Sequence, residues 1–111
     1  MDLKKYQELA LRTLNPEVNS YKDKLINGTL GLAGESGEFA ELVKKHLFHG
    51  HELDKEKARS ELGDIMWYFS LLCHALGIDP ESVLEKNILK LKARYPNKFT
   101  TTLSLTRKDG G

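Results

Sequence analysis

The chain of 111 residues holds one cysteine, three prolines and a formal charge of only +1, from 17 basic and 16 acidic side chains. A single thiol, Cys73, excludes an intrachain disulfide framework and fits a reducing compartment. Balanced charge gives no general drive toward nucleic acid or an anionic membrane. No apolar run approaches the roughly 20 residues that span a bilayer. The N-terminal stretch MDLKKYQELALRTLNP has neither a long apolar core nor a cleavage-like site, so it does not read as a signal peptide. No Ser-His-Asp arrangement, glycine-rich phosphate fingerprint, internal repeat or low-complexity tract is visible. The expectation is a soluble cytoplasmic protein of one domain over 1–111, with a core at about 23–99 and a tail at 100–111. A chain this small gains from burial in an oligomer.

What is present is helical period. Leu3, Tyr6, Ala10 and Leu14 recur at helical spacing, so a first helix is expected over Asp2–Leu14, stopped by Asn15-Pro16. After a connector at Glu17–Lys22, a second helix is expected over Asp23–Phe48. Four glycines interrupt it, Gly28, Gly31, Gly34 and Gly37. Each costs about 1 kcal/mol relative to alanine, which points to close approach of another backbone, to space for a ligand, or to a kink near Gly28. His49-Gly50-His51 marks a turn. Asp54 is the expected N-cap of a third helix that runs to Leu76, with Gly77 past its end. Its stripe of Ala58, Leu62, Ile65, Phe69 and Leu72 is widened by Met66, Trp67 and Leu71, so it is expected to be buried on most sides or used at a subunit interface. Asp79-Pro80 opens a fourth helix, which Pro96 closes. Thr100–Leu105 alternates like a short extended segment, and Arg107–Gly111 reads as a loose tail. The fold expected is all-α, an antiparallel bundle of about four helices.

The chemistry concentrates between Leu32 and Tyr68. Glu35 and Glu38 are three apart on the second helix, and Glu61 and Asp64 are three apart on the third. Such residues share a helix face. If the helices pack antiparallel, four carboxylates converge and repel one another strongly. A hard divalent cation, which prefers oxygen ligands, resolves that repulsion. The competing reading is that these are charge-rich surface helices, as for Glu41, Glu52, Glu56 and Glu81. What separates the four is their position flanking the apolar stripes, with Gly34, Gly37 and Gly63 beside them.

Read with their neighbours, these residues resemble a known family. Leu32-Ala-Gly-Glu-Ser-Gly-Glu followed by Glu61-Leu-Gly-Asp-Ile-Met-Trp-Tyr is similar to the MazG-like nucleoside triphosphate pyrophosphohydrolases, of the all-α NTP pyrophosphatase group that also holds dimeric dUTPases and dCTP pyrophosphatases. The family signature is E-x-x-E on one helix and E-x-x-D on the next. Asn87-Ile-Leu-Lys90-Leu-Lys-Ala-Arg94-Tyr-Pro looks like the family's last helix. The resemblance covers about 25–99. It implies Mg²⁺-dependent hydrolysis of (deoxy)nucleoside triphosphates to monophosphate and pyrophosphate, in nucleotide-pool sanitation, with Mn²⁺ as a possible substitute. It implies Glu35, Glu38, Glu61 and Asp64 as metal ligands and catalytic carboxylates. It implies Asn87, Lys90 and Arg94 as phosphate or sugar contacts, and a bundle completed by homo-oligomerisation, with a tetramer preferred over a dimer.

Other residues stay open between two readings. Asn87 fits an interhelical hydrogen bond as well as a substrate contact. Tyr68, one turn after Asp64, fits packing at the helix seam as well as contact with the sugar or base. Lys44 and Lys45 read as a solvated face before phosphate contacts. Trp67 points to a different face from Tyr68 and reads as core or interface. His46, His49, His51, Cys73 and His74 lack the spacing of a closed zinc site; loop histidines and a core cysteine are expected. The alternative from another class is a catalytically silent oligomeric helical module that binds nucleotide or a protein partner. A regulator that binds nucleic acid is disfavoured by the balanced charge.

Overall fold

Helices α2 (Tyr21–Phe48) and α3 (Lys55–Leu76) form a hairpin that carries most of the tertiary contact of the chain. The computed structural model describes residues 1–98 and 100–106, and among these there are five helices and no strand. The hairpin is antiparallel. Gly28 faces Leu72 and Gly31 faces Tyr68, so one helix ascends as the other descends. A Cβ on Gly28 would stand 2.7 Å from Leu72 Cδ2, and one on Gly31 would fall inside the Tyr68 ring. These two glycines therefore serve close helix approach, and α2 runs on unbroken past Gly28. Gly34 and Gly37 have nothing within 4 Å of where a side chain would begin. They leave open space beside Glu35 and Glu38.

Capping sets the helix ends. Asp54 accepts from Glu56 N at 3.1 Å and Lys57 N at 3.0 Å, which opens α3 as expected. Gly77, at φ 67°, closes it in the left-handed conformation that a side chain would strain. Asp79 caps α4 (Pro80–Arg94), with Pro80 in the first turn. Three boundaries differ from expectation. Helix α2 begins at Tyr21, because Ser20 accepts from Asp23 N at 3.0 Å and caps it earlier. Helix α1 covers Leu3–Ala10 and gives way to a 3₁₀ turn at Leu11–Thr13, well short of a regular helix to Leu14. The Thr13 hydroxyl donates to Ala10 O at 2.6 Å and tightens the chain there. The segment expected to be extended is instead helix α5, Thr101–Leu105, whose N-cap Thr100 accepts from Leu103 N at 3.1 Å. The expected loose tail, 107–111, lies outside the described residues.

The core sits where α1 crosses α3. Leu71 is fully buried, and Ala10, Ser70 and Cys73 are buried around it. Gln7 Nε2 donates to Ser70 O at 3.0 Å across that crossing. Helix α4 packs on α1, with Lys4 N donating to Glu81 Oε1 at 3.3 Å. Few other apolar side chains are covered. Leu30 on α2 is 68% exposed and Leu89 on α4 is 67% exposed. The radius of gyration is 17.2 Å, against about 13 Å for a compact chain of this length.

Candidate active site

The hairpin register that seats Tyr68 on Gly31 carries one turn further to the acids. Glu35 and Glu38 on α2 meet Glu61 on α3, and one carboxylate oxygen from each of the three lies within 4.8 Å of the others. Glu35 and Glu61 are half-buried, while Glu38 is exposed. Asp64 stands one turn along α3 from Glu61 and shares with Glu35 a cavity of about 360 Å³, whose walls also include Thr13, Trp67 and Tyr68.

Two oxygens in this cluster lack a donor. Glu35 Oε2 and Glu61 Oε2 are both shielded from solvent and accept no hydrogen bond. Acceptor atoms facing each other in this way need a shared proton or a cation. The Glu35 carboxyl shows the first solution, pushed up to about 7 by hydrogen bonding with Glu61, then by burial and by the charges of Glu38, Asp64 and Glu61. The second solution is a hard cation, for which three converging carboxylates with room beside them are suitable donors. Among the described residues, no lysine or arginine forms an ion pair with any of the four acids; the pairs present are Lys5–Glu8, Lys44–Glu41 and Arg59–Glu56. The negative charge is thus uncompensated by the hairpin itself.

The aromatic side of the cavity comes from two neighbouring residues. Trp67 and Tyr68 meet edge to face, with ring centroids 5.1 Å apart at 81°. Tyr68 fills the seam at Gly31, which is the packing expected of it, and it also lines the acidic cavity. Trp67 was expected in a core or interface; it is half-buried and also lines the cavity. Its indole N–H donates to Ala10 O at 3.0 Å and to Thr13 Oγ1 at 2.9 Å, which anchors it to the end of α1. Tyr6 on α1 lies near the same edge, with its hydroxyl 3.4 Å from Gly63 O and its pKa raised by burial and by the charge of Asp64. Neither Thr13 nor Tyr6 stands out in the sequence. Their placement depends on contacts across more than fifty residues, which local period does not reveal.

The remaining candidates fall elsewhere. Asn87 and Lys90 are exposed on α4, Arg94 is half-buried near its end, and none of the three lines the cavity. Lys44 and Lys45 are exposed, and Lys44 reaches Glu41 at 3.9 Å. His46, His49 and His51 are exposed; the His46 ring is held at 2.9 Å from His51 O, where it supports the turn between α2 and α3. Cys73 is buried, and burial followed by the charge of Asp79 pushes its thiol pKa up, away from reactivity.

These features define an all-α protein with an acidic site on a helical hairpin. Residues 25–99 match the MazG nucleotide pyrophosphohydrolase domain, and the chain belongs to that family. It is 37% identical over 70 residues to the Gene 37 protein of Mycobacterium phage L5, a match that spans 60% of this chain and 61% of that relative. No solved structure gives a significant match. No helix among the described residues is long and apolar enough to cross a membrane.

Proposed function

We propose that this chain hydrolyses nucleoside or deoxynucleoside triphosphates between the α and β phosphates, releasing monophosphate and pyrophosphate, with Mg²⁺ as cofactor and Mn²⁺ as a substitute, in nucleotide-pool sanitation. The observation that carries this reading is the convergence of Glu35, Glu38 and Glu61, with two solvent-shielded oxygens that no donor satisfies. Family membership supplies the reaction class.

Glu35, Glu38 and Glu61 would hold the cation, with Asp64 completing the set from the cavity side. When bound, a divalent cation neutralises phosphate charge and lowers the pKa of a water molecule. The carboxylates themselves orient whatever they hold and accept a proton within the site. Without a cation Glu35 holds a proton up to about pH 7, and binding of a cation displaces it. The Trp67 and Tyr68 rings offer an apolar wall to the sugar or base beside the carboxylates. Asn87, Lys90 and Arg94 are assigned to phosphate or sugar contacts. In one chain they lie on α4, so that assignment requires assembly or nucleotide binding to bring α4 to the cavity.

We assign the uncovered apolar faces to self-association, with a tetramer preferred over a dimer. The accessible surface is 8287 Å², against about 6,200 Å² for a folded monomer of this mass. The excess, roughly 2,100 Å² on each chain, is well above the roughly 800 Å² that each partner buries in a standard interface and falls in the range of large obligate ones. Light scattering on the purified chain measures the subunit number directly.

The test of the reaction is product analysis by ³¹P NMR over a panel of canonical and modified ribo- and deoxynucleoside triphosphates, with Mg²⁺ and with EDTA. Monophosphate and pyrophosphate in equal amounts, only with the cation, are expected. Release of inorganic phosphate and diphosphate, or no turnover of any nucleotide by folded protein, overturns the proposal.

A further inference from the structure

We infer that Thr13 is a positioning residue: through Trp67 it holds the N-terminal segment against the acidic cavity, so that a part of the chain before the family-matched region sets the shape of the substrate wall. The matched region begins at residue 25. Ala10 and Thr13 precede it, yet they make the polar contacts of the Trp67 indole.

The local chemistry explains why this contact is built as it is. Helix α1 ends at Ala10, and the carbonyls of a final helical turn lack intrahelical donors. Ala10 O receives two donors instead, the Thr13 hydroxyl at 2.6 Å and the Trp67 N–H at 3.0 Å. Thr13 Oγ1 accepts from the same indole at 2.9 Å. The three groups close a triangle in which one hydroxyl both donates and accepts. Removing that hydroxyl leaves the indole with a single acceptor, Ala10 O. The ring is held on its other side by the edge-to-face contact with Tyr68, whose own position is set by Gly31. Trp67 is therefore held between the end of α1 and the Tyr68 ring, in the cavity wall that Glu35 and Asp64 also line. An aromatic face accepts the planar ring of any nucleobase, with little preference between bases. Loosening it would weaken substrate binding across bases and leave the carboxylate chemistry in place.

The inference rests on the nucleotide-hydrolysis reading for its kinetic arm but not for its spectroscopic arm. Trp67 is the only tryptophan in the chain, so intrinsic fluorescence reports it alone. Full-length wild type, Thr13→Val, Thr13→Ala and Thr13→Ser are compared, with circular dichroism as the check on folding. In Thr13→Val the emission is expected to move to longer wavelength as the ring becomes wetter. KM is expected to rise about three- to tenfold, the size of one lost hydrogen bond, for purine and pyrimidine nucleotides alike, with kcat within about twofold. Thr13→Ser restores both readouts. Thr13→Ala makes the same deletion without the added methyl and is read by the same criteria should the valine variant fail to fold. Unchanged emission and KM in the folded hydroxyl-deleted variants, or a serine variant that behaves like alanine, overturns the inference. A wild-type protein that hydrolyses no nucleotide overturns the proposed reaction instead, and the positioning role is then decided by the emission shift and its rescue by serine.

Discussion

Tyr68 occupies the space that a side chain on Gly31 would fill. That contact fixes the register of the α2–α3 hairpin, and the same register brings Glu35 and Glu38 to Glu61 one to two turns further on. Packing and chemistry are thus joined through one glycine.

Gly31→Ala is expected to destabilise the fold by about 1–3 kcal/mol, because the new methyl overlaps the Tyr68 ring and forces the helices apart. Gly34→Ala meets nothing within 4 Å, and its gain in helix propensity is expected to stabilise by up to about 1 kcal/mol. Urea denaturation of both variants checks the contrast. Equal effects of the same sign would contradict the assigned register.

Much of this hairpin was legible before the structure. The i,i+3 acids, the Asp54 cap and the Gly77 stop are local signals, and local signals survive into the fold. The four glycines were legible as a group but not individually; only the neighbours across the hairpin separate Gly28 and Gly31, which are packed, from Gly34 and Gly37, which are open. The segment from Thr100 was misread because a short run of threonine, leucine and serine alternates, while its helix depends on the Thr100 side chain as a cap. The part of the cavity wall formed by Thr13 and Trp67 was not legible, for a different reason. Trp67 meets Ala10 and Thr13 through tertiary packing, and nothing in the α3 pattern states which residue its N–H finds.

Protonation of Glu35 gives the metal-free protein a distinct pH dependence. The carboxyl is raised from 4.5 to about 7, so between those values the folded state binds more protons than the unfolded state. Stability contributed by this proton is present below about 4.5 and is lost as pH rises through about 7. In EDTA, Tm is expected to fall across that window, and Glu35→Gln is expected to flatten the fall. A rise of Tm over the same range, abolished by Glu35→Gln, would contradict the shared-proton geometry.

The same proton competes with a cation. Mn²⁺ affinity is expected to increase by about tenfold per pH unit below the Glu35 pKa and to level off above it, as expected for displacement of one proton. Calorimetric titration at several pH values checks the slope. A pH-independent affinity would place the cation elsewhere.

Self-association is expected to depend on the uncovered face of α4. Ile88 is 50% exposed and Leu89 is 67% exposed, and neither contributes to the buried core. Ile88→Glu together with Leu89→Glu is expected to convert the assembly to monomers in light scattering while leaving helical content unchanged. An unaltered subunit number would place the interface on another surface, such as that around Leu30.

The most direct test of the central claim is pyrophosphate release by wild type and Glu61→Gln at saturating Mg²⁺, with parallel Mn²⁺ binding. Glu61 supplies the α3 half of the carboxylate cluster, and its glutamine variant keeps the shape of the side chain. Metal-dependent release by wild type, a loss of at least about a hundredfold in the variant, and weakened Mn²⁺ binding in the same variant are expected. Wild-type rates and affinity in a folded Glu61→Gln protein would show that the acidic cluster on the hairpin is not the active site.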